Sequence, residues 1–136
     1  MDHRSAHFDP PTISDFDRLV DDALAAIPDP FRQAAREIAI QVTDMPPSHI
    51  LRDMEITDPM GLTGLYEGIP LTEKSSFDQP TQPDTIWLFR GPILAEWAER
   101  DSEPLSNIIA NVLVHELAHH FGWSDDDIAA IDEWWL

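Results

Sequence analysis

The longest helical pattern in the sequence covers residues 102–121, and it constrains the fold more than any other segment. Apolar residues recur along one side of this helix, at Val112, Leu113, Leu117 and Phe121. Such a side must pack against a core. Gly122 follows directly and is a typical stop for a helix C-terminus. A chain of 136 residues has room for one domain of ordinary size, so we expect this helix within a single core.

The charge balance excludes several kinds of partner. Lys and Arg total 8 against 26 Asp and Glu, which gives a formal net charge of -18. Because this charge repels phosphate backbones and anionic lipid, we expect binding to neither nucleic acid nor membranes. It favours cations instead, either metal ions or basic peptides. The hydrophobic content of 43% indicates a folded domain rather than an acidic disordered chain.

The composition also limits the chemistry and the compartment. The chain has 0 Cys, which excludes disulfides, thiolate metal sites and cysteine nucleophiles. Its first residues lack the apolar segment of a secretory signal, and no apolar run is long enough to span a bilayer. A cytoplasmic protein is therefore expected.

The N-terminal third predicts a tail followed by helices. Residues 1–12 are polar, end in two prolines and predict a flexible tail, and residues 13–136 are predicted to form a single domain. Ser14 is the expected N-cap of the first helix, with Asp17 completing a short capping box. Its predicted buried face consists of Phe16, Leu19, Val20, Ala23, Leu24 and Ile27. The segment Pro28-Asp29-Pro30 should end this helix, and Asp29 can cap a second short one.

The middle of the chain mixes strands and helices. Alternating apolar residues over 38–42 and the apolar run Thr85–Phe89 predict strands, the second buried on both faces. Residues 62–71 predict one or two further strands with a bend at Gly68. Short helices are expected over 50–54, over 92–100 and from Ser124 onward. This order predicts an α+β domain in which a small mixed sheet packs against helices.

The segment that carries chemistry is His115-Glu116-Leu117-Ala118-His119. Residues four apart on a helix differ by about 400° of rotation, so the two imidazoles share a face. That spacing suits two histidine ligands of one tetrahedral Zn²⁺. Glu116 lies beside them, where it can act as a general base on water without occupying the metal.

A catalytic zinc needs a third protein ligand, and Asp125 lies six residues after His119. Gly122 between them can take a left-handed conformation that turns the chain back. A structural role is the alternative for the three acids that follow Ser124. If Ser124 caps a last helix, Asp125, Asp126 and Asp127 would stabilise the positive N-terminal end of that helix. Asp126 or Asp127 could also be the ligand, but the spacing favours Asp125.

The full spacing His-Glu-x-x-His-x-x-Gly-x-x-Asp resembles metzincin-type zinc peptidases with Asp as third ligand, and more closely the minimal-zincin, metallopeptidase-like family. The resemblance extends to residues 64–71 and 86–94 and covers roughly residues 14–130. It implies a zincin-like fold with the sheet beside the active-site helix. It also implies zinc held by His115, His119 and Asp125, with Glu116 as base.

Three further residues are candidates for stabilising a transition state or orienting a ligand. Tyr66 can donate to a developing oxyanion, or it can simply pack in the sheet. Arg90 can play the same part, with a salt bridge to a nearby acid as the alternative. His120 points about 100° away from His119 and so cannot easily share its ion. It can orient Asp125, donate to a developing oxyanion or serve a structural role.

These residues predict a zinc-dependent metallopeptidase that acts on peptides or unstructured proteins, with basic ones preferred. The main alternative is a non-catalytic metal-binding or regulatory module that keeps the fold. It is motivated by Met60 being the last methionine, since metzincins carry a methionine turn downstream of the zinc motif. A third hypothesis is an acidic protein-interaction domain.

Overall fold

The structure is a computed structural model that describes residues 10–27, 31–68, 84–100 and 102–122. Five α-helices and three strands are assigned in these ranges. The helices are α1 (Ile13–Ala26), α2 (Phe31–Ala35), α3 (Ser48–Asp53), α4 (Arg90–Glu99) and α5 (Leu105–Phe121). The strands are β1 (Ala39–Thr43), β2 (Gly64–Glu67) and β3 (Thr85–Phe89), and a 3₁₀ turn covers Pro59–Gly61. This is the α+β fold that the sequence predicts.

The three strands form one mixed sheet in the order β1-β3-β2. β1 runs parallel to β3, with Ala39 opposite Thr85, and β2 runs antiparallel to β3, with Gly64 opposite Leu88. The central position of β3 explains why its sequence is apolar on both faces, and Ile86 and Leu88 are fully buried. β2 is therefore an edge strand of the described sheet.

The core lies where α1 and α5 pack together and against the sheet. Its buried side chains include Phe16 and Val20 from α1 and Ile109 and Leu113 from α5. α5 is buried over most of its surface, more than the single apolar side of the sequence pattern predicted. Because α5 crosses the core, the side chains at its few open positions are held on a rigid support.

Several predicted boundaries shift by two or three residues. The N-cap of α1 is Thr12 rather than Ser14, because Thr12 and Asp15 form the reciprocal capping box. α4 begins at Arg90, two residues before the predicted start, and Pro92 lies in its first turn, where a missing N–H costs nothing. α5 begins at Leu105 rather than Ser102, because Pro104 occupies the cap position.

The start of the chain also differs from the predicted tail. Pro11 accepts a hydrogen bond at 2.6 Å from Nε of Arg90, and Thr12 caps α1. Residues 11 and 12 therefore belong with α1. The segment 28–30, the second part of the predicted 62–71 strands and the helix predicted from Ser124 fall outside the described residues. Across the described ranges, no helix combines the length and apolarity needed to cross a membrane.

Candidate metal centre

α5 presents the two histidines of the motif on its open side. His115 and His119 are both exposed, and they continue an i, i+4 row that starts at Asn107 and Asn111. Their ring centroids lie 5.0 Å apart with the ring planes at 79° to each other. One nitrogen of each ring and one carboxylate oxygen of Glu116 all lie within 4.8 Å of one another. The helix thus brings together the two histidines predicted as metal ligands and the glutamate predicted as the base.

Glu116 belongs to the neighbouring row of α5, which faces β2. Its side chain is buried, unlike the two histidines beside it. Burial raises the pKa of Glu116 to about 7, and a hydrogen bond from the main-chain N–H of Tyr66 acts in the opposite direction. A buried carboxylate of this kind is costly to ionise unless a cation lies nearby. The two exposed imidazoles are suitable ligands for a divalent metal ion, and the buried carboxylate of Glu116 lies beside them.

The strand pairing explains why the Tyr66 amide is available to Glu116. Phe89 donates its N–H to the carbonyl oxygen of Thr63 at 2.9 Å, which places a hydrogen-bonded pair at one end of β2. Hydrogen-bonded and non-hydrogen-bonded pairs alternate along antiparallel strands. The main-chain groups of Leu65 therefore face β3, whereas those of Gly64 and Tyr66 face the outer edge of the sheet.

Gly64 allows β2 to approach α5 closely. A Cβ atom at this position would lie 2.7 Å from Cγ1 of Val112 and 3.3 Å from Cγ of Glu116. Only glycine fits such an approach without a shift of the strand or the helix. Gly64 is not among the site residues predicted from the sequence. A glycine inside an otherwise regular strand pattern indicates a close approach of another backbone or element, and this pattern could have identified Gly64.

A cleft of about 420 Å³ runs along this edge of the sheet and reaches the motif. Its lining combines apolar side chains, the β2 edge and two motif residues: Met54, Leu62, Gly64, Leu65, Tyr66, Gly68, Glu116 and His119. His119 and Glu116 therefore lie in the cleft beside β2, whose outer main-chain groups face away from β3.

The remaining candidates lie in different places. Tyr66 lines the cleft, while its hydroxyl turns to Asp84 at 2.8 Å. His120 is buried, and its Nδ1 lies 2.9 Å from Oδ2 of Asp84. Arg90 donates a hydrogen bond to the carbonyl oxygen of Pro11. It also forms a salt bridge with Asp44 at 3.3 Å, which is the alternative role predicted for it. Asp125 lies outside the described residues, so its role as third ligand stays a prediction.

The end of α5 agrees with the motif. Gly122 adopts a left-handed conformation with φ 74° and ψ 28°, and its N–H returns to the carbonyls of Ala118 and His119. This is the helix stop that the sequence predicts, and it redirects the chain directly after the histidines.

Comparison with known sequences adds the family. The profile of the zincin-like metallopeptidase family matches residues 35–135. The chain belongs to the zincin-like metallopeptidase family. The match includes all three strands, α5 and the whole His-Glu-x-x-His-x-x-Gly-x-x-Asp segment. No individually curated protein matches the chain significantly. In this zincin-like protein, His115, Glu116 and His119 lie together on α5, and the ligand and base roles that the resemblance implies for them stay predictions.

Proposed function

We propose that this protein is a zinc-dependent peptidase in which Glu116 acts as general base. The observation that carries the proposal is the group of His115, Glu116 and His119, with the buried acid and one imidazole opening on the same cleft. His115 and His119 would hold Zn²⁺ together with Asp125. When bound there, Zn²⁺ supplies Lewis acidity, which polarises a carbonyl and makes water more acidic.

Glu116 supplies the proton transfers. Its pKa of about 7 lies near neutral pH, where a general base combines a useful ionised fraction with real proton affinity. Its carboxylate takes a proton from the attacking water and later delivers that proton to the nitrogen of the leaving amine. The N–H of Tyr66 holds one side of the carboxylate and so fixes its orientation.

The cleft favours an extended substrate. The outward main-chain groups of Gly64 and the carbonyl of Tyr66 can pair with a peptide that lies along β2 as an added strand. Met54, Leu62 and Leu65 give the cleft an apolar wall for its side chains. We therefore propose unstructured peptides as the substrate class, since a folded chain would have to expose an extended segment first.

The test is the substitution Glu116→Gln in zinc-loaded protein, assayed with a mixture of unstructured fluorogenic peptides. Removal of the base should lower the cleavage rate by about a thousandfold, in the middle of the range for general-base catalysis, while zinc content stays unchanged. Glu99→Gln is the matched control, since Glu99 is an exposed acid on α4. Cleavage by Glu116→Gln at the wild-type rate would contradict the assignment of the base. If the zinc-loaded wild type cleaves no peptide, the non-catalytic metal-binding module is the better account.

A further inference from the structure

Beside the candidate metal centre, the side chains of Tyr66, Asp84 and His120 form a hydrogen-bonded network. The hydroxyl of Tyr66 donates to Oδ2 of Asp84 at 2.8 Å, and Nδ1 of His120 lies 2.9 Å from the same oxygen. The Tyr66 hydroxyl and His120 Nδ1 are 3.2 Å apart. The side chains of Asp84 and His120 are only 8% and 6% exposed. Buried polar groups are costly unless they bond one another, so these three residues specify one arrangement.

Asp84 is the residue on which this network converges. Its side chain joins β2 to α5, and its main-chain oxygen accepts a hydrogen bond at 2.9 Å from the N–H of Ala39 at the start of β1. The chain also passes very close to its carboxylate at Gly68, where a Cβ atom would lie 2.5 Å from Oδ1 of Asp84. Asp84 therefore links three elements, β2 and α5 through its carboxylate and β1 through its main-chain oxygen.

The network is connected to Glu116 through Tyr66. Val112, Glu116 and His120 occupy successive turns of one face of α5, which is the face that meets β2. Tyr66 contacts this face twice, because its N–H donates to Glu116 and its hydroxyl meets His120 and Asp84. The position of Tyr66 relative to α5 is thus fixed one turn beyond Glu116.

We propose that Asp84 is a positioning residue that holds β2 in register against α5 and thereby sets the place of Glu116 at the cleft. The catalytic consequence rests on the proposed function, whereas the structural consequence does not. Tyr66 and His120 are the residues through which Asp84 acts.

The structural consequence can be measured in metal-free protein by amide hydrogen exchange. In Tyr66→Phe and Asp84→Ala, exchange at residue 66 should accelerate by at least about tenfold, because the strand loosens locally from Glu116. The amide of Phe89, which bonds Thr63 in the same strand pair, should keep its wild-type rate. Asp84→Asn keeps an acceptor oxygen for both partners and should restore most of the protection at residue 66.

Glu67→Ala is the matched control, because it removes the 2.7 Å bond from Nε1 of Trp87 between the same two strands. It should leave exchange at residue 66 unchanged. In peptide assays of zinc-loaded protein, Tyr66→Phe should lower kcat by about a hundredfold, the size of loss expected for a displaced reacting group, with KM little changed.

Equal acceleration at residues 66 and 89 in both variants would overturn the proposal, since the network would then serve overall stability only. Wild-type exchange at residue 66 in both would overturn it as well. If Asp84→Ala does not fold, the exchange rates of Tyr66→Phe alone test the proposal. That variant removes one hydroxyl and keeps the packed ring. A wild type that cleaves no peptide would contradict the proposed function. The hydrogen-exchange result would still test the positioning role of Asp84.

Discussion

Glu116 is the residue whose surroundings bear most directly on the proposed activity. It follows His115 directly in the chain, yet it is buried while His115 is exposed. The difference arises because a step of one residue turns the helix by about 100°, from the open side of α5 to the side that meets β2. There the absence of a side chain at Gly64 leaves room for its methylene groups, and burial raises its pKa to about 7. The local fold thus gives an ordinary acid the proton affinity of a general base.

The raised pKa of Glu116 predicts a pH-dependent stability in metal-free protein. Because the folded pKa of about 7 exceeds the ordinary glutamate pKa of 4.5, the folded state binds the proton more tightly than the unfolded state does. The stability contributed by this group is present below pH 4.5 and is lost as the pH rises to 7. Glu116→Gln should therefore gain free energy of unfolding relative to wild type over this interval, reaching about 3 kcal/mol at pH 8.

Urea unfolding of the metal-free wild type and Glu116→Gln at pH 4, 6 and 8 measures this difference. Glu99→Gln controls for the loss of one negative charge at an exposed position, and the Glu116→Gln difference is read against it. A Glu116→Gln difference that does not grow between pH 4 and pH 8 would mean that the carboxyl is not desolvated in the folded protein.

At the scale of elements, the sequence was most informative where a local signal decides the structure. The apolar run at Thr85–Phe89 predicted a buried strand, and Gly122 predicted the end of α5, because strand burial and helix stops depend on residues close in the chain. Helix starts were less well predicted. Thr12 and Ser14 both offer a capping hydroxyl followed by Asp three residues later, and tertiary packing selects between them.

The Asp84 network lay beyond sequence reasoning for a related reason. Tyr66 and Asp84 are 18 residues apart, and Tyr66 and His120 are 54 apart, so only the paired strands and α5 bring them together. Asp84 itself follows a polar segment in which an aspartate carries no signal of burial. His120 lies on the side of α5 that meets β2, and its partners Tyr66 and Asp84 could not be predicted without the fold.

The contact between β2 and α5 predicts that Gly64 cannot be enlarged. Gly64→Ala should lower the free energy of unfolding by about 1–3 kcal/mol, the usual cost of an overpacked core position. The added methyl group would meet Val112 at 2.7 Å and Glu116 at 3.3 Å. Gly61→Ala is the matched control, because no atom lies within 4 Å of a Cβ there. Equal stability of the two variants in urea unfolding would show that β2 does not pack this closely on α5.

At the scale of the whole molecule, the excess of acidic residues affects which peptides the protein would bind. The net charge is -18, and after Arg100 there is no Lys or Arg but eight acids between Asp101 and Glu133. A negative field of this size attracts cationic peptides and repels anionic ones. The proposed metal ligands belong to this same acidic part of the sequence.

This field predicts a preference for basic peptides. Of two peptides with one cleavage segment and either Lys or Glu flanks, the Lys form should show the larger kcat/KM by about tenfold at low salt. The ratio should shrink at 0.5 M NaCl, because salt screens exposed charges. A matched peptide with Gln flanks should fall between the two. A higher kcat/KM for the Glu form would contradict the prediction.

Zinc binding to the whole protein is the most direct test of the proposed metal centre. Native mass spectrometry of metal-free protein titrated with zinc should show one ion per wild-type chain and none in His119→Ala at the same zinc concentration. Asp125→Ala should lower zinc affinity by at least about a hundredfold, since loss of even an outer-shell partner can cost that much, whereas Asp126→Ala should bind as the wild type does. A wild type that takes up no zinc, or a His119→Ala that takes up as much, would contradict the central claim that the α5 histidines form a zinc centre.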